Sequence, residues 1–349
     1  MHFLENLKME GAMLVFELEE IQQARNLETE LLSQGILCKA LSLWSRNFFI
    51  SSPEASQRSK LLESAMVNGK IILELTTESP LSSRAIKTEF SNFMLGKDVS
   101  LTDKTSLFIG GPCAVESRSQ IDETAAKLSS LGVRALRAGA FKPRTSIYSF
   151  QGLELKGLEL LREIADKYNM ILVTEAKDTS HIDSVAEFSD VIQIGTKSMY
   201  VFDLLRRAGE SGKPVILKRG FMTTIKEYMQ ALDVILATGN ERVIMCERGI
   251  RTFENQTRFT LDLAGAAVLK ISSHLPLIID PSHTTGRRDI VMPLAQASIA
   301  LGVEGLLVEV HPNPEKAMCD KEQAFPLNEV DEMLVSLKKI AKAVNRELC

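Results

Sequence analysis

The chain has 349 residues and a formal net charge of −4, and 45% of its residues are hydrophobic. This length allows one large domain together with a small one, and the composition is that of a globular protein rather than a disordered or fibrous one. The mildly negative charge excludes a protein that binds nucleic acid with its whole surface. No apolar run is long enough to span a bilayer, so no membrane partner is expected.

The cysteines predict a reduced protein. Neither a Cys-x-x-Cys pair nor a zinc-type spacing of Cys and His occurs, and the number of cysteines is odd. The N-terminal residues include acidic side chains and no sustained apolar core, so no signal peptide is expected. A cytoplasmic location is therefore predicted. The five cysteines are Cys38, Cys113, Cys246, Cys319 and Cys349.

Residues 13–76 are predicted to form a ferredoxin-like domain. Their apolar pattern gives the order strand, helix, strand, strand, helix, strand, which is the βαββαβ arrangement of a small sheet with helices on one face. The predicted helices cover residues 19–35 and 53–68, and residues 45–47 form the predicted hairpin turn. Nothing in this pattern indicates catalysis. A packing or oligomerisation module and a small-molecule regulatory module both remain open.

Two segments flank this domain. Residues 1–12 precede the first predicted strand and are expected to form an N-terminal extension. Residues 77–105 are rich in Ser, Thr, Lys and Glu, and they are predicted to be a linker with one amphipathic helix over residues 82–95. The pattern changes after this linker, so a second domain is predicted over residues 106–349.

The second domain is predicted to be a (β/α)8 TIM barrel. Short apolar runs recur along it, and the segments between them have helical periodicity; in residues 224–238, for example, the apolar side chains share one face. Eight buried strands that alternate with helices are the pattern of this α/β fold. A doubly wound sheet is the rival fold, but no glycine-rich dinucleotide motif follows any strand. The runs begin at residues 107, 133, 171, 191, 214, 243, 277 and 305.

Ionisable residues follow the apolar runs, at the barrel end where catalytic residues gather. Many of them are cations, and cations that converge without counter-charges repel one another strongly in a cleft of low dielectric constant. They therefore imply a ligand with more than one phosphate, and the hydroxyls of Thr145 and Ser146 extend the predicted anion site. A solvated basic loop and internal salt bridges with nearby acids are the alternatives. The cationic group is Arg137, Lys142, Arg144, Lys197, Lys218 and Arg248.

A second group combines one thiol, one imidazole and two carboxyl groups. This set suits a divalent transition metal of borderline softness, so Mn, Fe, Co and Zn all remain possible. The residues have no local spacing motif, and the prediction depends on the barrel bringing its first, seventh and eighth strands together. Taken singly, a Cys or a His is more often a packing residue than a ligand. The group is Cys113, His283, Glu309 and Asp320.

At these residues the chain resembles a known family, the 3-deoxy-D-arabino-heptulosonate 7-phosphate (DAHP) synthases. The similarity covers about residues 106–325, with its motifs in order and at the family's spacing. The small domain before the barrel looks like the type I subtype that is allied to 3-deoxy-octulosonate 8-phosphate synthases. The matching stretches are GGPCAVES (110–117), FKPRTSIYSFQG (141–152), KRGFMTTIKE (218–227), CERGIRTFE (246–254), DPSHTTGRRD (280–289) and VEVHPNPEKAMCD (308–320).

The resemblance implies an enzyme that condenses phosphoenolpyruvate with erythrose 4-phosphate and releases phosphate, the first step toward chorismate and the aromatic amino acids. It also implies one divalent metal ion, a homo-oligomer, tetrameric in many relatives, and an allosteric response to tyrosine or phenylalanine.

The resemblance further implies roles for individual residues. The implied metal ligands are Cys113, His283, Glu309 and Asp320. The implied phosphoenolpyruvate ligands are Arg137, Lys142, Lys218 and Arg248. The implied ligands of the erythrose 4-phosphate phosphate are Arg144, Thr145 and Ser146. The candidate catalytic residues are Lys142, Glu175 and His311.

The chain departs from the family at one substrate-binding position. The family has Gly-Ala-Arg after the fourth strand, and this chain has Gly195, Thr196 and Lys197. Lysine keeps the positive charge but lacks the bidentate fork of arginine, so weaker binding of phosphoenolpyruvate is expected. Two rival functions remain: a 3-deoxy-octulosonate 8-phosphate synthase that uses arabinose 5-phosphate, and a non-catalytic sensor of phosphorylated metabolites.

Overall fold

The structure is a computed structural model that describes residues 13–54, 56–66, 70–75, 79–142, 148 and 150–349. Three predicted features lie outside these ranges: the N-terminal extension 1–12, the linker's first residues 77 and 78, and the three residues predicted to bind the erythrose 4-phosphate phosphate, Arg144, Thr145 and Ser146.

The N-terminal elements form a small antiparallel sheet with helices, as predicted. The strand order is β2-β3-β1-β4, and each neighbouring pair is antiparallel, which is the ferredoxin-like arrangement. Alternate residues of β1 face opposite sides, so Leu14 and Phe16 pack with Leu27 and Leu31 of α1, while Val15 faces the other side. The elements are β1 (Met13–Leu18), α1 (Ile21–Ser33), β2 (Cys38–Leu43), β3 (Arg46–Ser51), α2 (Arg58–Met66) and β4 (Lys70–Leu75).

The turn between β2 and β3 joins the small sheet to the rest of the molecule. Trp44 and Ser45 both have positive φ, at 52° and 59°, so the turn lies one residue earlier than predicted. The Trp44 ring packs edge-on against His274, with centroids 4.9 Å apart, and its backbone N–H donates to Glu241. The small sheet therefore docks on segments that precede barrel strands.

The helix predicted over residues 82–95 is wrong. This region contains turns and then a hairpin of β5 (Phe93–Gly96) and β6 (Val99–Leu101). Lys97 and Asp98 have positive φ, at 44° and 61°, which gives the tight reversal that a hairpin needs. Leu95 and Leu101 pack against the apolar side chains inside the barrel, and this tertiary contact outweighs the local helical periodicity.

The following residues form a closed parallel barrel, which confirms the predicted fold. Each strand pairs with the next, and β14 pairs back with β7. Two short strands, β15 (Phe325–Pro326) and β16 (Glu347–Leu348), pair with β14 and β7. The barrel strands are β7 (Thr105–Gly111), β8 (Ala135–Arg137), β9 (Ile171–Ala176), β10 (Val191–Ile194), β11 (Val215–Lys218), β12 (Val243–Glu247), β13 (Leu277–Ile279) and β14 (Gly305–His311).

Helices lie between the barrel strands and after the last one. The predicted helix over 224–238 is α7, where the Thr224 side chain accepts a hydrogen bond from the backbone of Glu227 in a capping box. None of the described helices is both long and apolar enough to cross a bilayer. The helices are α3 (Arg118–Ser130), α4 (Glu154–Lys167), α5 (Ile182–Phe188), α6 (Phe202–Glu210), α7 (Ile225–Leu236), α8 (Leu263–Ser272), α9 (Pro281–Thr285), α10 (Val291–Ala300) and α11 (Val330–Ala343).

Candidate active site

The four predicted metal ligands lie together at the C-terminal end of the barrel. Their ligand atoms are all within 4.8 Å of one another. Cys113 Sγ lies 2.9 Å from Asp320 Oδ2, and His283 Nε2 lies 3.4 Å from Glu309 Oε2. Closure of β7 against β14 explains how residues far apart in sequence meet here.

The chemistry of this cluster fits a divalent cation. Burial, then the nearby Cys113 and Asp320, raise the pKa of Glu309 well above its usual range, so this buried carboxyl faces other acids and would be stabilised by a cation. A hydrogen bond with the Cys319 thiol, followed by burial, raises the pKa of Cys113 to about 12. One sulfur, one nitrogen and two carboxylate donors match a transition metal of borderline softness.

Asp280 connects the metal cluster to the cationic group. Its carboxylate caps α9 by accepting a hydrogen bond from the backbone N–H of His283, and its other oxygen lies 2.8 Å from His283 Nδ1 and 2.5 Å from Lys218 Nζ. Burial alone would raise the pKa of Asp280, but the charges of His283 and Lys218 lower it well below its usual range. The ionised carboxylate therefore orients the imidazole so that Nε2 points toward the other ligands.

A cleft of about 230 Å³ opens beside this cluster, and it is strongly cationic. Glu175, Asp320 and His283 also line it, so the acids are outnumbered. An excess of buried or half-buried cations of this kind suits an anionic ligand. The seven cationic side chains that line the cleft are Arg137, Lys142, Lys177, Lys197, Lys218, Arg248 and Arg258.

Arg137 and Glu175 lie at the floor of the cleft. Arg137 is only 2% exposed, and its Nη1 has no hydrogen-bond partner among the described residues. Burial would raise the pKa of Glu175, but the cations around it, Lys177 first, lower that pKa to about 2. Glu175 is therefore a carboxylate, 3.9 Å from Arg137 Nη2, and it also accepts a hydrogen bond from Gln193. The unpaired Arg137 donor is a ready site for an anion.

Lys142 lies between the cleft and the metal cluster. It is buried, and its Nζ donates to Cys113 Sγ at 3.0 Å. Gly139 makes room for this side chain, because a Cβ at that position would come within 2.8 Å of Lys142 Cε. The ammonium group is thus placed beside the predicted metal ligand Cys113 and faces the cleft.

The other predicted cations lie at the cleft wall and rim. Arg248 stacks on Phe259, with its guanidinium carbon 4.1 Å from the ring centroid, and it donates to the backbone carbonyl of His283. Lys197 is exposed at the rim. Arg219, by contrast, points away into a salt bridge with Glu247, with Nη1 2.9 Å from the carboxylate, and so supports the wall rather than the ligand.

His311 is buried, and both of its ring nitrogens are engaged. Nδ1 accepts a hydrogen bond from the backbone N–H of Asn313 at 3.0 Å, and Nε2 lies 3.3 Å from a carboxylate oxygen of Glu116. The structure therefore places this residue near the predicted site but ties its imidazole to other protein groups.

Comparison with known proteins identifies the family. A model of the DAHP synthetase I family matches residues 85–346. Phospho-2-dehydro-3-deoxyheptonate aldolase of Thermotoga maritima is 50% identical over 264 residues, which cover 76% of this chain and 78% of that protein. The chain belongs to the DAHP synthetase I family. The resemblance predicted from the motifs is confirmed.

Solved structures place this family member among DAHP synthases. The crystal structure of phospho-2-dehydro-3-deoxyheptonate aldolase (DAHP synthase) from Thermotoga maritima has a TM-score of 0.78 at 40% identity, and it covers 97% of this chain and 99% of that one. A truncated form of the 3-deoxy-D-arabino-heptulosonate 7-phosphate synthase from Thermotoga maritima has a TM-score of 0.74 at 47% identity, covering 78% of this chain and 99% of that one. A 2-dehydro-3-deoxyphosphooctonate aldolase of Desulfotalea psychrophila is 33% identical over 256 residues, or 68% and 90% of the two chains.

Two cations of the cleft, Lys177 and Arg258, were not among the site residues predicted for this DAHP synthetase I family member. Arg258 lines the cleft, and its Nη1 lies 3.6 Å from Asp320 Oδ1. It lies in the loop between β12 and α8, well beyond the strand end, so reading the first polar residues after each strand did not find it. The run of basic and aromatic residues in that loop was the available indication.

Proposed function

We propose that this protein condenses phosphoenolpyruvate with erythrose 4-phosphate and water to give 3-deoxy-D-arabino-heptulosonate 7-phosphate and phosphate, the first step of the shikimate pathway. One observation supports this proposal above the others: a cationic cleft lies directly beside a cluster of thiol, imidazole and carboxyl groups in a DAHP synthetase I family chain. The two substrates together bring two phosphates and a carboxylate into one site, which is the ligand such a cleft suits.

Phosphoenolpyruvate is assigned to the inner part of the cleft. Arg137 offers an unpaired buried donor, Lys142 and Lys218 offer ammonium groups, and Arg248 offers a guanidinium already oriented by Phe259. Lys197 at the rim completes this set as the proposed contact to the phosphate. Together these groups hold two mutually repelling substrates close to each other, a contribution of proximity and of electrostatic stabilisation.

Erythrose 4-phosphate is assigned to the outer part of the site. Its phosphate is proposed to bind Arg144, Thr145 and Ser146, which directly follow the described Lys142 and the intervening proline in sequence. A guanidinium and two hydroxyls are suited to a terminal phosphate. The aldehyde at the other end of the sugar is proposed to face the four clustered residues.

The four clustered residues Cys113, His283, Glu309 and Asp320 are proposed to hold one divalent metal ion, Mn, Fe, Co or Zn. When bound, such an ion supplies electrophilic activation of the aldehyde oxygen. Since a thiol is among the ligands and all five cysteines are free, a reducing cytoplasmic environment is proposed as well.

The bond changes follow from the substrates. The C2–C3 π electrons of phosphoenolpyruvate form a bond from C3 to the aldehyde carbon, and the C=O π electrons of the aldehyde move to its oxygen, which takes up a proton. Water adds to the cationic C2 that results and gives up a proton. The hemiketal phosphate then loses phosphate as its C2–O bond breaks. Lys142 is the candidate proton carrier nearest the ligand cluster, whereas Glu175, ionised at neutral pH, holds the surrounding cations in place. His311 stays a candidate, although its ring nitrogens bond other groups.

A product assay tests this proposal. The metal-reconstituted protein is incubated with phosphoenolpyruvate and either erythrose 4-phosphate or arabinose 5-phosphate, with and without a chelator, and phosphate and ketose product are measured. Turnover with erythrose 4-phosphate that the chelator abolishes is the expected result. Turnover with arabinose 5-phosphate alone would reassign the protein to the sister reaction, and binding of phosphoenolpyruvate without turnover would favour a sensor. A tetramer and an allosteric small domain stay predictions.

A further inference from the structure

Glu116 makes a pair of contacts that the proposed reaction does not use. It follows β7, in the same loop as Cys113, and its side chain is only 10% exposed. One carboxylate oxygen lies 3.3 Å from His311 Nε2, and the other accepts a hydrogen bond from the backbone N–H of Met318 at 2.8 Å. One carboxylate thus contacts both the end of β14 and the loop that follows it.

The hydrogen bonds of His311 fix the direction of this contact. Its Nδ1 accepts from the backbone N–H of Asn313, so the proton of the neutral imidazole resides on Nε2. Nε2–H therefore donates to Glu116. Both interactions of Glu116 are donor-to-carboxylate bonds, which are the stronger kind of hydrogen bond when the acceptor is charged.

The loop held in this way delivers the fourth member of the ligand cluster. Met318 directly precedes Cys319, which is buried against Cys113, and Asp320, whose Oδ2 lies 2.9 Å from Cys113 Sγ. Asp320 has φ at +53°, a left-handed conformation that few non-glycine residues adopt without support. The loop is held by contacts on both sides of this residue, and before it the backbone N–H of Met318 donates to Glu116. Beyond it, Gln323 donates to Glu309 at 2.8 Å.

We infer that Glu116 is a positioning residue for the metal centre: it fastens loop 312–320 so that Asp320 reaches the other three ligands. This inference rests on the proposed metal centre. It predicts that Glu116 acts on metal affinity and has no direct part in binding phosphoenolpyruvate, because its carboxylate is engaged by His311 and Met318.

The test is the substitution Glu116→Gln, which keeps the size of the side chain. The glutamine amide has one acceptor oxygen, whereas the carboxylate accepts hydrogen bonds from two donors, His311 and Met318, on its two oxygens. One of the two hydrogen bonds is therefore lost. The dissociation constant for Co²⁺, measured on metal-free protein by competition with a chromophoric chelator, is expected to rise about 10–100-fold. Saturating Co²⁺ is expected to restore kcat, and KM for phosphoenolpyruvate is expected to stay unchanged.

The matched control is Glu315→Gln. Glu315 lies in the same loop, but it is 75% exposed and pairs with Arg288. Its substitution is expected to leave the Co²⁺ dissociation constant unchanged. Glu116→Asp keeps the charge but is one methylene too short to reach both donors, so it is expected to weaken metal binding too; it provides the measurement if the glutamine variant does not fold.

Two results would overturn the inference alone: equal Co²⁺ affinity in the variant and the unaltered protein, or a loss of kcat that saturating metal does not restore. Failure of the unaltered protein to bind Co²⁺ would overturn the proposed metal centre, and this inference with it. The two failures are therefore distinguishable.

Discussion

The two ends of the barrel use the same scaffold for opposite purposes. At the end where the strands begin, the β5–β6 hairpin inserts Leu95, Val99 and Leu101 against the apolar interior. At the end where the strands finish, seven cations line a cleft that lies beside the four clustered residues of the predicted metal site. Apolar closure stabilises the fold, whereas the charged rim is costly to desolvate and is retained for binding. The two ends should therefore respond differently to substitution.

Two histidines at opposite ends of β13 show the same difference between the two ends of the barrel. His274 lies just before β13, buried, with Nε2 2.7 Å from the Leu81 carbonyl oxygen and Nδ1 2.8 Å from Ser91 Oγ. His283 lies just after the same strand and directs Nε2 toward Glu309. One histidine is neutral and fully paired within the protein, and the other presents a nitrogen to a site. For these two histidines, the end of the strand at which each lies corresponds to its role.

The largest effect is expected at the ligand cluster. Cys113→Ala should lower kcat at least about a thousandfold, or about 4 kcal/mol, because it removes a proposed metal ligand and the acceptor of the Lys142 hydrogen bond. The measurements are the turnover number and the amount of bound metal, the latter determined by elemental analysis. Cys349→Ala, at the exposed cysteine, is the matched control and should behave like the unaltered protein. Full turnover by Cys113→Ala would refute the assignment of this residue.

The opposite end should respond in stability rather than activity. Leu101 is 1% exposed within the hairpin contact, so Leu101→Ala should lower the free energy of unfolding by about 2–5 kcal/mol. Urea denaturation measures the loss, and kcat at a temperature where the variant stays folded should be unchanged. Leu155→Ala, at a side chain that is 50% exposed, should cost much less. A large fall in kcat for folded Leu101→Ala would show that the two ends are not separable.

His274, at the end of the barrel where the strands begin, should make the free energy of unfolding depend on pH. Burial lowers its pKa from 6.5 to about 4, so between these pH values the unfolded chain binds a proton that the folded protein does not. Stability should therefore fall as the pH drops from 6.5 to 4, by about 2–3 kcal/mol in total. His274→Gln should lose this part of the pH dependence in urea titrations, whereas His181→Gln should retain it. An identical pH profile in His274→Gln would contradict this account.

The barrel could be predicted because its strands are buried on both faces. Runs such as Leu277–Ile279 are continuously apolar, and the polar residue after each strand marks the functional end. The β5–β6 hairpin could not be predicted, because its role depends on an interior formed by residues that follow it in sequence. For the same reason the motifs identified Asp320 but did not indicate which residues contact it or its loop. Glu116 accepts a hydrogen bond from this loop, and Arg258 lies beside the Asp320 carboxylate.

The smallest effect is expected at Lys197, at the cleft rim. Substitution of this residue should change the binding of phosphoenolpyruvate without changing catalysis. This lysine stands where the family has arginine, and it is exposed, so solvent weakens its interaction with a bound phosphate. Lys197→Arg restores a bidentate donor and should lower KM for phosphoenolpyruvate about threefold to tenfold, or about 1 kcal/mol, with kcat unchanged. Steady-state kinetics and calorimetric titration with phosphoenolpyruvate measure this change. The matched control is Lys104→Arg, at an exposed lysine just before the start of β7, where the same substitution should change neither KM nor kcat. An affinity of Lys197→Arg that is equal to or below that of the unaltered protein would show that lysine serves this position as well as arginine does.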